Sequence, residues 1–260
     1  MSDASTTSSG GFPNPLAWLG RGTLGLLSEI GRISIFSGRT GLAAFSPPWN
    51  LTQLWKQIVA IGFYSLPVVG LSAVFIGAAL ALNIYTGGNR FGAEQFVPNI
   101  VVLGITRELG ATITGLMLAG RVTAGIAAEI GAMKVTEQID AITMLRTDPV
   151  EYLVVPRVLA MLVMSPVQCL LFFGIGMWSG MLSSSMLYRI PPPVFWSSMR
   201  TWMQPSDVPS MLLEATVFGL EIAIIACGWG LTTRGGPKEV GTSTTGAVVM
   251  ILLIIAITDV

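Results

Sequence analysis

Histidine is absent from these 260 residues, and cysteine occurs only twice. The first absence excludes a histidine-based catalytic triad or zinc site. Cys169 and Cys227 both lie in apolar runs, so they read as small buried side chains and not as a disulfide or a metal pair. Charge is scarce as well. Charged residues make up 11% of the chain and cancel to a formal net charge of zero, against about 25% in a typical soluble domain. A chain with that balance has no basic footprint for nucleic acid. None of its three lysines follows a glycine, so there is no G-x-x-x-x-G-K-[ST] phosphate loop, and any ATP-driven step needs a motor on another polypeptide. No basic n-region followed by an apolar core marks a cleavable signal peptide.

What the chain does have is apolar length. Hydrophobic residues are 52% of it, in several uncharged runs of the roughly 20 residues that a bilayer requires. The expected fold is all-α and polytopic: an N-terminal interfacial amphipathic helix, five transmembrane helices and a short cytoplasmic coupling helix. Residues 1–13, rich in Ser, Thr and Gly, are expected to be disordered. Across 14–54, Leu16, Leu19, Leu26, Ile30 and Ile33 recur at helical spacing while Arg21, Ser28, Arg32 and Arg39 lie away from them. That pattern predicts a helix lying in the membrane interface, ended by Pro47-Pro48. The five-helix domain takes 55–260, with spans at about 58–84, 97–119, 158–182, 211–231 and 240–258. Pro67 predicts a kink in the first span, and the Pro- and Trp-containing stretch 188–209 a connection at an interface. Leaving Arg107 aside, an N-terminus in the cytoplasm puts only Arg90, Arg189 and Arg200 outside and the other ten basic residues inside. The positive-inside rule therefore predicts N-in, C-out.

The chemistry concentrates between Gly104 and Arg157. Arg107 and Glu108 fall inside an apolar helix, where each costs at least about 2.5–3.5 kcal/mol unless it meets a cavity or a partner. Adjacent residues point about 100° apart on a helix and satisfy each other poorly, so both need help from elsewhere. Glu214 and Glu221 in the fourth span are the candidates, with Arg107–Glu214 the favoured pair. The result is either a polar spot for a charged or zwitterionic head group or an ion pair locking two spans. Gly115, Ala119, Gly120 and Ala124 place small residues about four apart, which suits close helix packing in lipid. Farther on, Val135, Ile139, Ile142 and Leu145 form an apolar stripe, followed by the helix-start signal Asp148-Pro149-Val150-Glu151. A short amphipathic helix between two spans can insert into a groove on a soluble partner or lie flat on the membrane.

Several separated segments resemble one family, the MlaE-type permease subunits of ABC transporters. They are Arg-Glu-Leu-Gly (107–110), Ala-Gly-Arg (119–121), Ala-Glu-Ile-Gly (128–131), Thr-Glu-Gln-Ile-Asp-Ala (136–141), Asp-Pro (148–149), Val-Pro-Arg (155–157), and a C-terminal set from Gly235 to Val249. The resemblance implies a multi-pass protein of the bacterial inner membrane that moves phospholipids between inner and outer membranes and so maintains outer-membrane lipid asymmetry. It implies a homodimer on cytoplasmic ABC ATPase subunits, which hold the ATP and magnesium, with a STAS-domain protein and a periplasmic MCE-domain hexamer. No cofactor is expected on this chain, which would be a transporter subunit and not an enzyme. By the same resemblance, Lys134, Glu137, Gln138, Asp140, Ile142, Arg146 and Asp148 belong to the ATPase-coupling region, and Arg107 and Glu108 lie at the lipid pocket. Glu214 departs from the family, which often carries a lysine ahead of the pair found here as Phe218-Gly219. The alternative from a different class is an ion-coupled secondary transporter using Glu108, Glu214 and Glu221 as a proton relay. Without histidine, a metal cluster or a nucleophile motif, a membrane-embedded enzyme is the weakest reading.

Overall fold

A computed structural model describes residues 15–44, 51–89, 92 and 96–259. The expected tail at 1–13, the Pro47-Pro48 break and the turn at Arg90 lie outside the described residues, as do the side chains of Leu16, Leu19, Arg21, Leu26 and Ile30. The described chain is helical throughout. Helix α1 is Pro15–Ala44, α2 Leu51–Ile61, α3 Leu66–Asn89, α4 Val97–Gly104, α5 Gly110–Leu118, α6 Ala124–Val135 and α7 Gln138–Met144. Helix α8 is Val155–Tyr188, α9 Pro192–Trp202, α10 Asp207–Thr232 and α11 Pro237–Thr258. Five helical stretches are long and apolar enough to cross a membrane: Leu51–Asn89, Val97–Val135, Val150–Tyr188, Asp207–Thr232 and Pro237–Thr258. The shortest, with 22 residues, is about 33 Å long at 1.5 Å per residue, enough for a hydrocarbon core of about 30 Å.

The helices outrun the apolar segments read from sequence, and the second does so most. It was expected to stop near residue 119, yet α4, α5 and α6 form one rod to Val135, joined by π-helical turns at Ile105–Leu109 and Ala119–Thr123. Arg121 and Glu129 do not end it because each finds a partner on another span: Arg121 donates to the Ser65 hydroxyl, and Glu129 pairs with Arg157. The rod ends where Glu137 takes a left-handed conformation at φ 59°. The stretch 188–209, expected as a plain connection, contains the 11-residue helix α9.

The kink expected at Pro67 is present as a break. Helix α2 stops at Ile61, a 3-10 turn spans Phe63–Ser65, and α3 resumes at Leu66. Proline offers no N–H, so Pro67 fits the first turn of α3, where that donor has no helical partner. Buried Gln168 of α8 donates to the carbonyls of Ile61 at 3.1 Å and Gly62 at 2.9 Å, satisfying acceptors at the break. The same α8 crosses α3 with backbone against backbone. A Cβ added at Gly77 would overlap the Gly176 carbonyl, and Gly180 lies against Gly77 one turn on. Ser179 donates to the Val74 carbonyl at 2.6 Å, and the rings of Tyr85 and Tyr188 stack at the helix ends.

Gly77→Ala should destabilise the protein by about 1–3 kcal/mol, the usual cost of overpacking. Gly174→Ala, on the same α8 but facing open space, should be neutral or stabilising by up to about 1 kcal/mol. Thermal unfolding in detergent compares the two; equal effects would show that the crossing is not tight.

Candidate functional site

Polar residues gather at the two ends of the bundle. One end holds the first residues of α10 and the last of α11, and Arg107 and Glu108 sit at this level instead of mid-span. Arg107 does not pair with Glu214. Its Nε lies 3.2 Å from Asp207 Oδ1 and its Nη2 3.4 Å from Oδ2, a forked contact to the first residue of α10. Asp207 is nearly buried and also accepts the Gln204 N–H at 2.8 Å. Glu214 lies two turns farther along α10, beyond the fork. Thr112 Oγ1 stands 2.6 Å from both Asp259 Oδ1 and the Glu108 carbonyl, placed to donate to either. Glu221, deeper on α10, accepts from Thr258 at 3.3 Å. The structure thus links Asp259 to Thr112, one turn from Glu108, ties Arg107 to Asp207, and holds Glu221 apart on Thr258. Asp207, Asp259, Thr112 and Thr258 escaped the sequence reading. Asp207 carried a usable signal, since Ser206-Asp207 has the composition of a helix start.

The small residues chosen for packing divide. Gly115 faces the Phe218 ring and Ala119 is fully buried, but Ala124 is half-buried and Gly120 faces open space. The π-helical turn at Ala119–Thr123 shifts the register, so spacing by four no longer means one face.

At the opposite end α7 projects between left-handed Glu137 and Arg146, with φ near 59° and 58°. The stripe expected across it splits. Val135 lies on α6, Ile139 is buried, Ile142 is half-buried, and Leu145 falls beyond the last helical residue, 79% exposed beside Met144 at 85%. Lys134 Nζ pairs with Asp140 Oδ1 at 2.8 Å, bracing α6 against α7. Gln138 and Ile142 join Gln53, Gln57, Glu129 and Arg157 around a half-open cavity of about 580 Å³. Asp148 begins the next helix as expected, its Oδ1 accepting the Val150 N–H at 2.9 Å. Arg157 is 2% exposed, bound to Glu129 Oε2 at 2.7 Å and to the Leu153 carbonyl at 2.9 Å, and its Nε has no partner.

Charge at the ends, an apolar middle and a short projecting helix between two spans fit a permease subunit, and comparison with known proteins identifies which kind. The family model described as Permease MlaE matches residues 54–260. The chain belongs to the MlaE permease family. It is 44% identical over 243 residues to a probable ABC transporter permease protein of Rickettsia bellii, covering 93% of each chain. A probable ABC transporter permease protein of Synechocystis sp. is 44% identical over 210 residues, 81% of this chain and 80% of that one. Protein TRIGALACTOSYLDIACYLGLYCEROL 1, chloroplastic, of Arabidopsis thaliana is 36% identical over 227 residues, 87% of this chain and 65% of its own. As an MlaE-family member the chain is a multi-pass membrane permease subunit of a transporter.

A double-mutant cycle should give a coupling of about 1 kcal/mol between Arg107 and Asp207, as for a partly exposed pair, and none of that sign between Arg107 and Glu214. Coupling at 214 instead would refute the fork. Glu129→Ala should cost about 3 kcal/mol, because it strands the buried Arg157 charge; unfolding that matches the wild type would show that Arg157 has another counter-charge.

Proposed function

We propose that this chain is the membrane half of an ATP-driven phospholipid transporter in a bacterial inner membrane, oriented N-in, C-out. The observation that carries the reading is α7: a seven-residue helix anchored by buried Ile139 at the end of the bundle, with Met144 and Leu145 in the open. Exposed apolar side chains of that size at the end of a spanning bundle suit a groove on a soluble partner better than water. The partner is an ABC ATPase that holds the ATP and magnesium, and Lys134, Glu137, Gln138, Asp140, Ile142, Arg146 and Asp148 lie on or beside the docked surface. At the other end Arg107, Glu108, Glu214 and Glu221 meet the phospholipid head group on its way to a periplasmic MCE-domain hexamer. Lipid as cargo is supported by the plant relative, whose name is that of a glycolipid. Exposed Val249, Leu253 and Ile257 on α11 offer the face for a homodimer, and a STAS-domain protein completes the assembly. Membership of a family whose relatives are named ABC transporter permeases weighs against a proton relay through Glu108 and Glu214.

Purification in mild detergent from the native host, followed by mass spectrometry, should recover a Walker-A ATPase, an MCE protein and phospholipid. A chain that emerges alone would overturn the reading in favour of ion coupling and direct attention to proton flux at Glu108. Reversing Glu137 and Asp140 to lysine should release the ATPase, whereas Lys134→Ala, which breaks the Lys134–Asp140 pair without reversing charge, should retain it. Undiminished co-purification of the reversed variant would remove α7 from the docking surface.

A further inference from the structure

Helix α1 has no part in the proposed function so far, yet it touches the chain just beyond α7. Arg39 Nη2 lies 2.6 Å from Asp148 Oδ2. Asp148 is the residue through which α7 hands over to the third span, and all its acceptors are engaged. Its Oδ1 takes the Val150 N–H, its carbonyl the Tyr152 N–H at 3.1 Å, and its Oδ2 the guanidinium of Arg39. Elsewhere on α1, Thr40 is buried and Ala43 packs against the core. Phe36 rests over Gly228 of α10, and beside it a cavity of about 240 Å³ lies between Ile33, Phe36, Ile224 and Gly228. An exposed ion pair adds little to stability; what it fixes is position.

We infer that Arg39 is a positioning residue that ties α1 to the exit of α7, so that a displacement of α7 is carried to the helix bordering α10. This rests on the reading of the chain as an ATP-driven permease. The left-handed residues Glu137 and Arg146 bracket α7 and set its ends as turning points. Beyond the second of them, Asp148 is the first side chain bonded to another element. A push on Met144 and Leu145 therefore reaches Asp148 within four residues, and through it Arg39. The space under α1 leaves that helix room to follow.

The test is hydrogen exchange on the assembled transporter in lipid nanodiscs, with and without a non-hydrolysable ATP analogue, following residues 31–44 and 138–148 together. In the wild type both segments should respond to the analogue. Arg39→Ala should abolish the response of 31–44 while 138–148 still responds, and should lower lipid delivered per ATP hydrolysed several-fold; Arg39→Lys should restore both. Asp148→Asn keeps the capping oxygen but removes the charge, so it should reproduce the loss, and combined with Arg39→Ala should add nothing further. A wild type in which 138–148 responds and 31–44 stays silent overturns the inference alone, as does an Arg39→Ala variant that responds normally. A wild type in which neither segment responds counts against ATPase docking at α7 and takes the inference with it.

Discussion

Backbone contact between α3 and α8 is the constraint on which the rest depends. Lipid offers no hydrophobic drive to bring two apolar helices together, so association rests on close packing and a few hydrogen bonds. Gly77, Gly176 and Gly180 supply the closeness. Because the axes are near, Ser179 reaches the Val74 carbonyl and Gln168 reaches the broken end of α2. A wider crossing would leave the Ile61 carbonyl unsatisfied in an apolar medium, a cost of several kcal/mol. The glycine contact thus makes the Pro67 break tolerable, and the break in turn leaves α2 as a separate helix beside α8, where it forms one wall of the cavity next to α7.

Two ends of different character follow. Where α10 begins and α11 ends, Arg107 is joined to Asp207, and Asp259 takes the Thr112 hydroxyl. Where α7 projects, charges are matched in pairs: Lys134 with Asp140, Arg157 with Glu129, Arg39 with Asp148. Matched pairs suit a region that must hold its shape under load from a partner.

Much of this was legible in the sequence, for physical reasons that also explain the misses. Apolar run length gives the number of spans directly, since the bilayer fixes the length. Proline placement gave the break, and the Asp148-Pro149 pair gave a helix start. Pairing partners were not legible, because ion pairs depend on which residues share a level. Glu214 looked like the answer to Arg107 on charge and span alone, but Asp207, two turns earlier, is at the right height. Face assignments failed where the backbone left the ideal α-helix. The π-helical turn at Ala119–Thr123 moved Gly120 into the open, and the left-handed Glu137 separated Val135 from the stripe that ends at Leu145.

The pairing of buried Arg157 with half-exposed Glu129 has a consequence for how the protein is made. Arg157 stands near the start of the third span, and its counter-charge lies on the second. A lone guanidinium entering the bilayer meets a steep barrier, which a carboxylate already alongside lowers. The second and third spans are therefore best inserted as a hairpin, leaving the translocon together with α7 as the loop that joins them.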